Sequence, residues 1–185
     1  VTVQFQYPFY NTDFDLDPAV IVGGATATVA DGYLELVSGA AESVVVKSKN
    51  SIRYRPGHSG YAQFTASFDG TGVGSCGAWS PGEDGFFIRV SNGAVSIGYE
   101  KGGVETTVSP VTNNGRSLFN GGTIPLELID FTKINIFRIM FGYLGVANPV
   151  YQIKTRGRWY VIGTIQTEGR LTETHINNPV LPIGF

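Results

Sequence analysis

The stretch FFIRVSNGAVSIGY, Phe86–Tyr99, sets two short apolar runs either side of Asn92-Gly93. Asn-Gly is the pair that tolerates positive φ at both central positions of a type I′ turn, the turn that joins twisted antiparallel strands through two residues. The loop length then sets the register. Val90 faces Val95, Ile88 faces Ile97 and Phe86 faces Tyr99, while Arg89 faces Ser96 on the other side. Apolar meets apolar on one face, as expected of a strand pair lying on a core. Asp31-Gly32 repeats the arrangement, pairing Val29 with Leu34 and Ala27 with Leu36 and leaving Thr28 and Glu35 opposite.

A third hairpin joins Tyr151–Lys154 to Arg158–Ile162. With Arg156-Gly157 as the loop, Ile153 faces Tyr160; with Thr155-Arg156-Gly157 and a left-handed Gly157, Ile153 faces Trp159 and Tyr151 faces Val161. The longer loop is the expectation, and it sets Lys154 beside Arg158, a like-charge pair tolerable only on a solvated face. The longest apolar segment, Ile129–Leu144, alternates as Ile134, Ile136, then Phe137, Ile139, Phe141, Tyr143. That is a strand with a β-bulge at Ile136-Phe137, because Gly142 and Gly145 would each cost a helix about 1 kcal/mol.

Further strands are expected at Val1–Tyr7, Ser43–Lys47, Gly60–Phe68, Val104–Val108, Thr123–Leu128 and Leu171–Ile176, ten to thirteen in all, with Thr112–Gly122 as a mobile loop. The fold class is all-β, an antiparallel two-sheet sandwich of jelly-roll or concanavalin-like type. Residues 1–185 form one domain, with 1–18 as an N-terminal arm.

Composition agrees. The 185 residues are 42% hydrophobic and only 15% charged, with 25 Gly and 9 Pro, which disfavours long helices and disorder alike. A net charge of −2 without any Lys/Arg cluster gives no source for phosphate neutralisation, so nucleic acid is not an expected partner. No apolar run approaches the roughly 20 residues of a spanning helix, so no membrane insertion is expected either. The start, VTVQFQYPFY, lacks a signal-peptide pattern and has no Met, which suggests a processed or excised chain. The single Cys76 makes no internal disulfide.

Motif hits fail on context. Gly72-Val73-Gly74-Ser75-Cys76-Gly77 matches G-x-G-x-x-G, but Ala78-Trp79-Ser80-Pro81-Gly82 opens no helix to hold a pyrophosphate. Asp13, Asp15 and Asp17 alternate like calcium ligands, yet Pro18 stands at the glycine position and Gly24 at the glutamate position. They read as a solvated edge, with no metal or cofactor expected. His58, in a turn, and His175, near a strand end, have no evident nucleophile among Ser59, Ser75 and Ser80, and Cys76 has no flanking cation to activate it. Glu83 and Asp84 are adjacent and so point apart if extended, unlike a glycosidase pair. No catalytic residue is expected, and the chain is not read as an enzyme.

Two surface readings remain. Trp79, in a loop spanning Gly77–Gly85, would stack on a sugar ring while Glu83 and Asp84 bond its hydroxyls, against the plainer reading of a Trp capping the core. Tyr7, Phe9 and Tyr10 would pack on a neighbouring subunit, and the apolar, proline-rich close Pro179–Phe185 would bury itself in the same way.

Four segments carry a resemblance: Ala30–Leu36 (ADGYLEL), Ile52–Gly57 (IRYRPG) followed by Gln63–Phe68 (QFTASF), Lys133–Gly145 ending in FGYLG, and His175–Ile183 (HINNPVLPI). In that order and spacing they resemble the β-sandwich modules of structural and attachment proteins of tailed bacteriophages and large double-stranded DNA viruses. The resemblance implies a virion component: a capsid vertex, minor capsid, spike or fibre subunit, a trimer or pentamer assembled with other capsid proteins. It carries over no catalytic residue. The alternative is a carbohydrate-binding module for host cell-surface glycans, and the two roles coexist in an attachment protein.

Overall fold

The Asn92-Gly93 hairpin forms in the expected register, with Val90, Ile88 and Phe86 opposite Val95, Ile97 and Tyr99. Asn92 and Gly93 take φ of 48° and 78°, the pair of left-handed conformations a type I′ turn requires. The computed structural model describes residues 16–30, 33–53, 55, 58–142, 147–167 and 173–185. The expected strand Val1–Tyr7 and the contact residues Tyr7, Phe9 and Tyr10 lie outside them.

Within those residues the strands are β1 (Val20–Val22), β2 (Thr26–Ala30), β3 (Tyr33–Val37), β4 (Ser43–Val45), β5 (Gly60–Ala66), β6 (Val73–Ser80), β7 (Asp84–Ser91) and β8 (Ala94–Lys101). They continue with β9 (Val104–Val108), β10 (Val111–Asn113), β11 (Arg116–Leu118), β12 (Asn135–Phe141), β13 (Val150–Thr155), β14 (Arg158–Thr164) and β15 (Ile183–Gly184). The count exceeds ten to thirteen because short pairs such as β10–β11 carry no hydrophobic alternation to announce them.

Two antiparallel sheets make the sandwich. One has the order β15-β6-β7-β8-β9 and the other β14-β13-β12-β5, two meanders each extended by a strand from elsewhere in the chain. Between them lies one core, in which Phe86 stacks on Phe141 at 5.1 Å and the Tyr151 hydroxyl donates to the Gly98 carbonyl at 2.6 Å. The β2–β3 hairpin has the register read from Asp31-Gly32, with Val29 opposite Leu34 and Thr28 opposite Glu35.

Several expectations are corrected. The third hairpin uses the two-residue loop: Arg156 and Gly157 have φ of 49° and 77°, Ile153 pairs with Tyr160, and Lys154 pairs with Trp159 rather than lying beside Arg158. The shorter loop matches strand twist and removes the like-charge pair. A register shift between Tyr151 and Gln152 absorbs the parity change. No bulge interrupts β12, which pairs continuously with β5 and β13. Phe137, Ile139 and Phe141 face the core, while Ile134 and Ile136 have the opposite parity, so the apparent slip is an apolar outer face.

Thr123–Leu128 is not a strand; Pro125 precedes a 3-10 turn at Leu126–Leu128. Residues 173–176 of the expected strand Leu171–Ile176 are irregular. Thr112–Gly122 is no open loop, since Asn114-Gly115 turns β10 onto β11. Of Pro179–Phe185, Leu181–Gly184 are buried on their own chain: Ile183 pairs with Ala78, and Phe185 exchanges backbone bonds with Val46. Leu16 bridges Ser48 and is buried, which docks the end of the expected 1–18 arm on the body.

Candidate functional site

Trp79 and its neighbours are structural ties. Trp79 lies in β6, not in a loop, because only residues 81–83 form the turn to β7. Its partner across the ladder is Gly85, whose own partner on the next strand is Glu100. The indole spans that row, donating its N–H to Glu100 Oε2 at 2.6 Å and packing 5.0 Å from the Phe87 ring. At 6% exposure its face is closed to a sugar, which corrects the stacking platform read from Ser-Pro-Gly. Glu83 accepts the Ser80 hydroxyl, and Asp84, buried, accepts the backbone N–H groups of Asn177 (2.7 Å), Asn178 (3.2 Å) and Gly102 (3.3 Å). Asp84 thus ties the 177–178 segment to the β8–β9 turn, and its oxygens are spent on the fold.

His175 is buried at the end of the core, edge-on to Phe86 at 5.0 Å and Tyr99 at 6.4 Å, and both ring nitrogens lack a hydrogen-bond partner. Burial, with the nearby Lys101 ammonium, pushes its pKa down to about 4, so the ring is neutral at neutral pH. Lys101 is paired with Glu173 at 2.8 Å. Neither Ser75 nor Ser80 is bonded to a histidine: Ser75 accepts from Arg89, Ser80 from Lys47, and His58 is exposed in a turn. Burial raises the Cys76 thiol far above its usual range, leaving a small apolar filler. Gly72–Gly77 runs into β6, a strand where a phosphate site needs a helix. Asp13 and Asp15 lie outside the described residues, among which no three metal-ligating side chains cluster.

What the sequence did not single out is the outer face of the four-stranded sheet. Strand alternation points Tyr61, Gln63 and Thr65 of β5 away from the core, beside Met140, Arg138 and Ile136 of β12 respectively. The next strand adds Gln152 beside Arg138 and Lys154 beside Ile136, and β14 adds Trp159 beside Lys154. Tyr61 is 63% and Met140 38% exposed. Arg138 is fixed twice: Nε donates to Gln152 Oε1 at 2.8 Å, and the guanidinium lies 4.1 Å over the Trp159 ring. Its terminal nitrogens have no partner among the described residues. The legible signal was the mixed parity of Ile134, Ile136 and Met140, an apolar side too many for one core.

An open cleft of about 1930 Å³ runs from β3 past β5 to the start of β6, with Tyr33, Glu35 and Val37 on one side and Tyr61 and Gln63 on the other. Small-molecule pockets are roughly 300–1,000 Å³, so this is an open groove rather than a fitted ligand cavity.

Fold and surface together define an antiparallel β-sandwich with an uncovered, cation-bearing aromatic face. No family model, curated protein or solved structure matches the chain.

Proposed function

We propose that the chain is a structural subunit of a virus particle, a capsid vertex, minor capsid or spike subunit that works by presenting surface. Two things support this reading. The first is the sequence resemblance in the four segments from Ala30 to Ile183, which would also make the sandwich a jelly-roll or concanavalin-like variant. The second, which carries it, is the outer face of the four-stranded sheet: Tyr61, Ile136, Met140 and Trp159 keep apolar surface open beside a preset arginine. An apolar, aromatic surface with Arg and Met is the composition of a contact surface. The aromatic residues Tyr7, Phe9 and Tyr10 would add to the assembly.

Mass spectrometry and imaging of purified particles test the proposal. The protein is expected in stoichiometric copy number, and a trimer or pentamer is expected in solution. A monomer absent from particles would overturn it.

A second reading, recognition of host glycans, is favoured by one observation: the exposed Tyr61 ring lies on the same face as the amides of Gln63 and Gln152, the groups that stack on and bond to a sugar. Retention on a glycan array, lost in Tyr61→Ala, is the expected result, and no retention ends that reading.

A further inference from the structure

The two sheets carry the same device on their outer faces, complete on one and incomplete on the other. On the five-stranded sheet Arg89 lies 4.7 Å over the Phe87 ring and its Nε donates to Ser75 Oγ at 2.9 Å. Its two terminal nitrogens grip Glu105 at 2.5 and 2.6 Å. Arg138 on the four-stranded sheet has the stacked ring and the Nε bond, and lacks the carboxylate. A guanidinium seated over an indole, with its Nε bonded and its two terminal nitrogens without a partner among the described residues, is preset for a bidentate carboxylate.

The outward-facing side chains of β5, β12, β13 and β14 include two cations, Arg138 and Lys154, and no carboxylate. That face cannot pair with its own image across a two-fold axis without setting cation against cation. The carboxylate must come from a different surface.

One such surface exists on the chain itself. Among the described residues Glu35 is the one side-chain carboxylate with no hydrogen bond or ion pair; each of the others is bonded or paired. It stands at the centre of the exposed face of β3, between Tyr33 (56% exposed) and Val37 (52%). The opposite face of the hairpin, with Val29, Leu34 and Leu36, is the less exposed one.

We propose that a second copy of this chain docks the exposed β3 face, Tyr33, Glu35 and Val37, on the outer face of the four-stranded sheet, with the Glu35 carboxylate in the Arg138 fork and Tyr33 and Val37 against Met140 and Ile136, which flank Arg138 along β12. The contact joins unlike patches, so it can close a ring of copies. It rests on the assembly reading above and names the surfaces that assembly uses.

Charge reversal with rescue tests it, on the full chain, by analytical ultracentrifugation. Arg138→Glu and Glu35→Arg should each weaken self-association at least about tenfold, and the double variant Arg138→Glu/Glu35→Arg should recover to within about threefold of wild type. Glu35 is exposed, so Glu35→Arg should keep the wild-type unfolding midpoint, whereas Arg138→Glu gives up the Gln152 bond and the Trp159 stack and should lower it while the circular dichroism spectrum stays that of wild type, which separates docking from folding. Oligomers that persist in Arg138→Glu, or a double variant no better than the singles, overturn this contact while leaving the virion reading intact. A monomeric wild type overturns it too, and binding of sialyllactose through Arg138 would show that the fork serves a sugar acid instead. Absence of the protein from purified particles would end the virion reading alone.

Discussion

Gly93 isolates a backbone effect from a packing effect. A side chain added there would meet nothing within 4 Å, yet φ is 78°, where a β-branched residue strongly resists standing. Gly93→Val should therefore cost about 2 kcal/mol, all of it conformational, read as a lowered denaturant midpoint with an unchanged slope. An unshifted midpoint would remove the type I′ turn from the account. His175 gives the pH dependence. Its folded pKa of about 4 lies below the unfolded value of 6.5, so the unfolded chain binds a proton first as pH falls. Its contribution is fully present above about pH 6.5 and is lost through the window down to about pH 4. Between pH 7 and 5 the loss is about 2 kcal/mol, and His175→Leu should flatten that part of the stability profile. An unaltered slope would mean that other groups carry the acid sensitivity.

At the scale of the strand, the row Trp79–Gly85–Glu100 shows why β6, β7 and β8 lie where they do. Gly85 has φ of 142°, and a Cβ on it would fall 2.4 Å from the Ala78 carbonyl and 2.5 Å from the Trp79 Cα. Gly85→Ala is expected to cost about 3 kcal/mol or more and to shift the tryptophan emission as the indole loses its seat. Glu100→Gln keeps an acceptor for the indole N–H, whereas Glu100→Ala strands a buried donor at about 1–3 kcal/mol, so the alanine variant should be the less stable of the two by denaturant titration. Equal stabilities would show that the bond matters less than the packing around it. The hairpins differ in how far their residues announced them. Asn92-Gly93 admits one register, whereas Thr155-Arg156-Gly157 admits two, and the choice turned on twist and on keeping Lys154 from Arg158.

The whole molecule is expected to unfold in one transition, because both sheets share a core. Phe86 stacks on Phe141 across it, and the Tyr151 hydroxyl reaches the Gly98 carbonyl of the facing sheet. Burial lifts the Tyr151 phenol well above its usual range, so it remains the donor. Tyr151→Phe should lower stability by about 1 kcal/mol and leave calorimetric and van't Hoff enthalpies equal. Two resolved transitions would mean that the sheets stand independently.

Strand content, two of the three hairpin registers and the inward parity of Phe86, Ile88, Val95 and Ile97 follow from local chemistry: turn geometry and a two-residue period act over neighbours in the chain. The fate of Trp79, the docking of Pro179–Phe185 on its own sheet, the solitude of Glu35 and the open fork of Arg138 depend on residues brought together from distant positions. Trp79 needed Glu100 and Arg138 needed Trp159, partners at separations no local pattern encodes: Trp79 is buried on the outer face of the five-stranded sheet against Phe87 and Glu100, while the outer face of the four-stranded sheet is left to water.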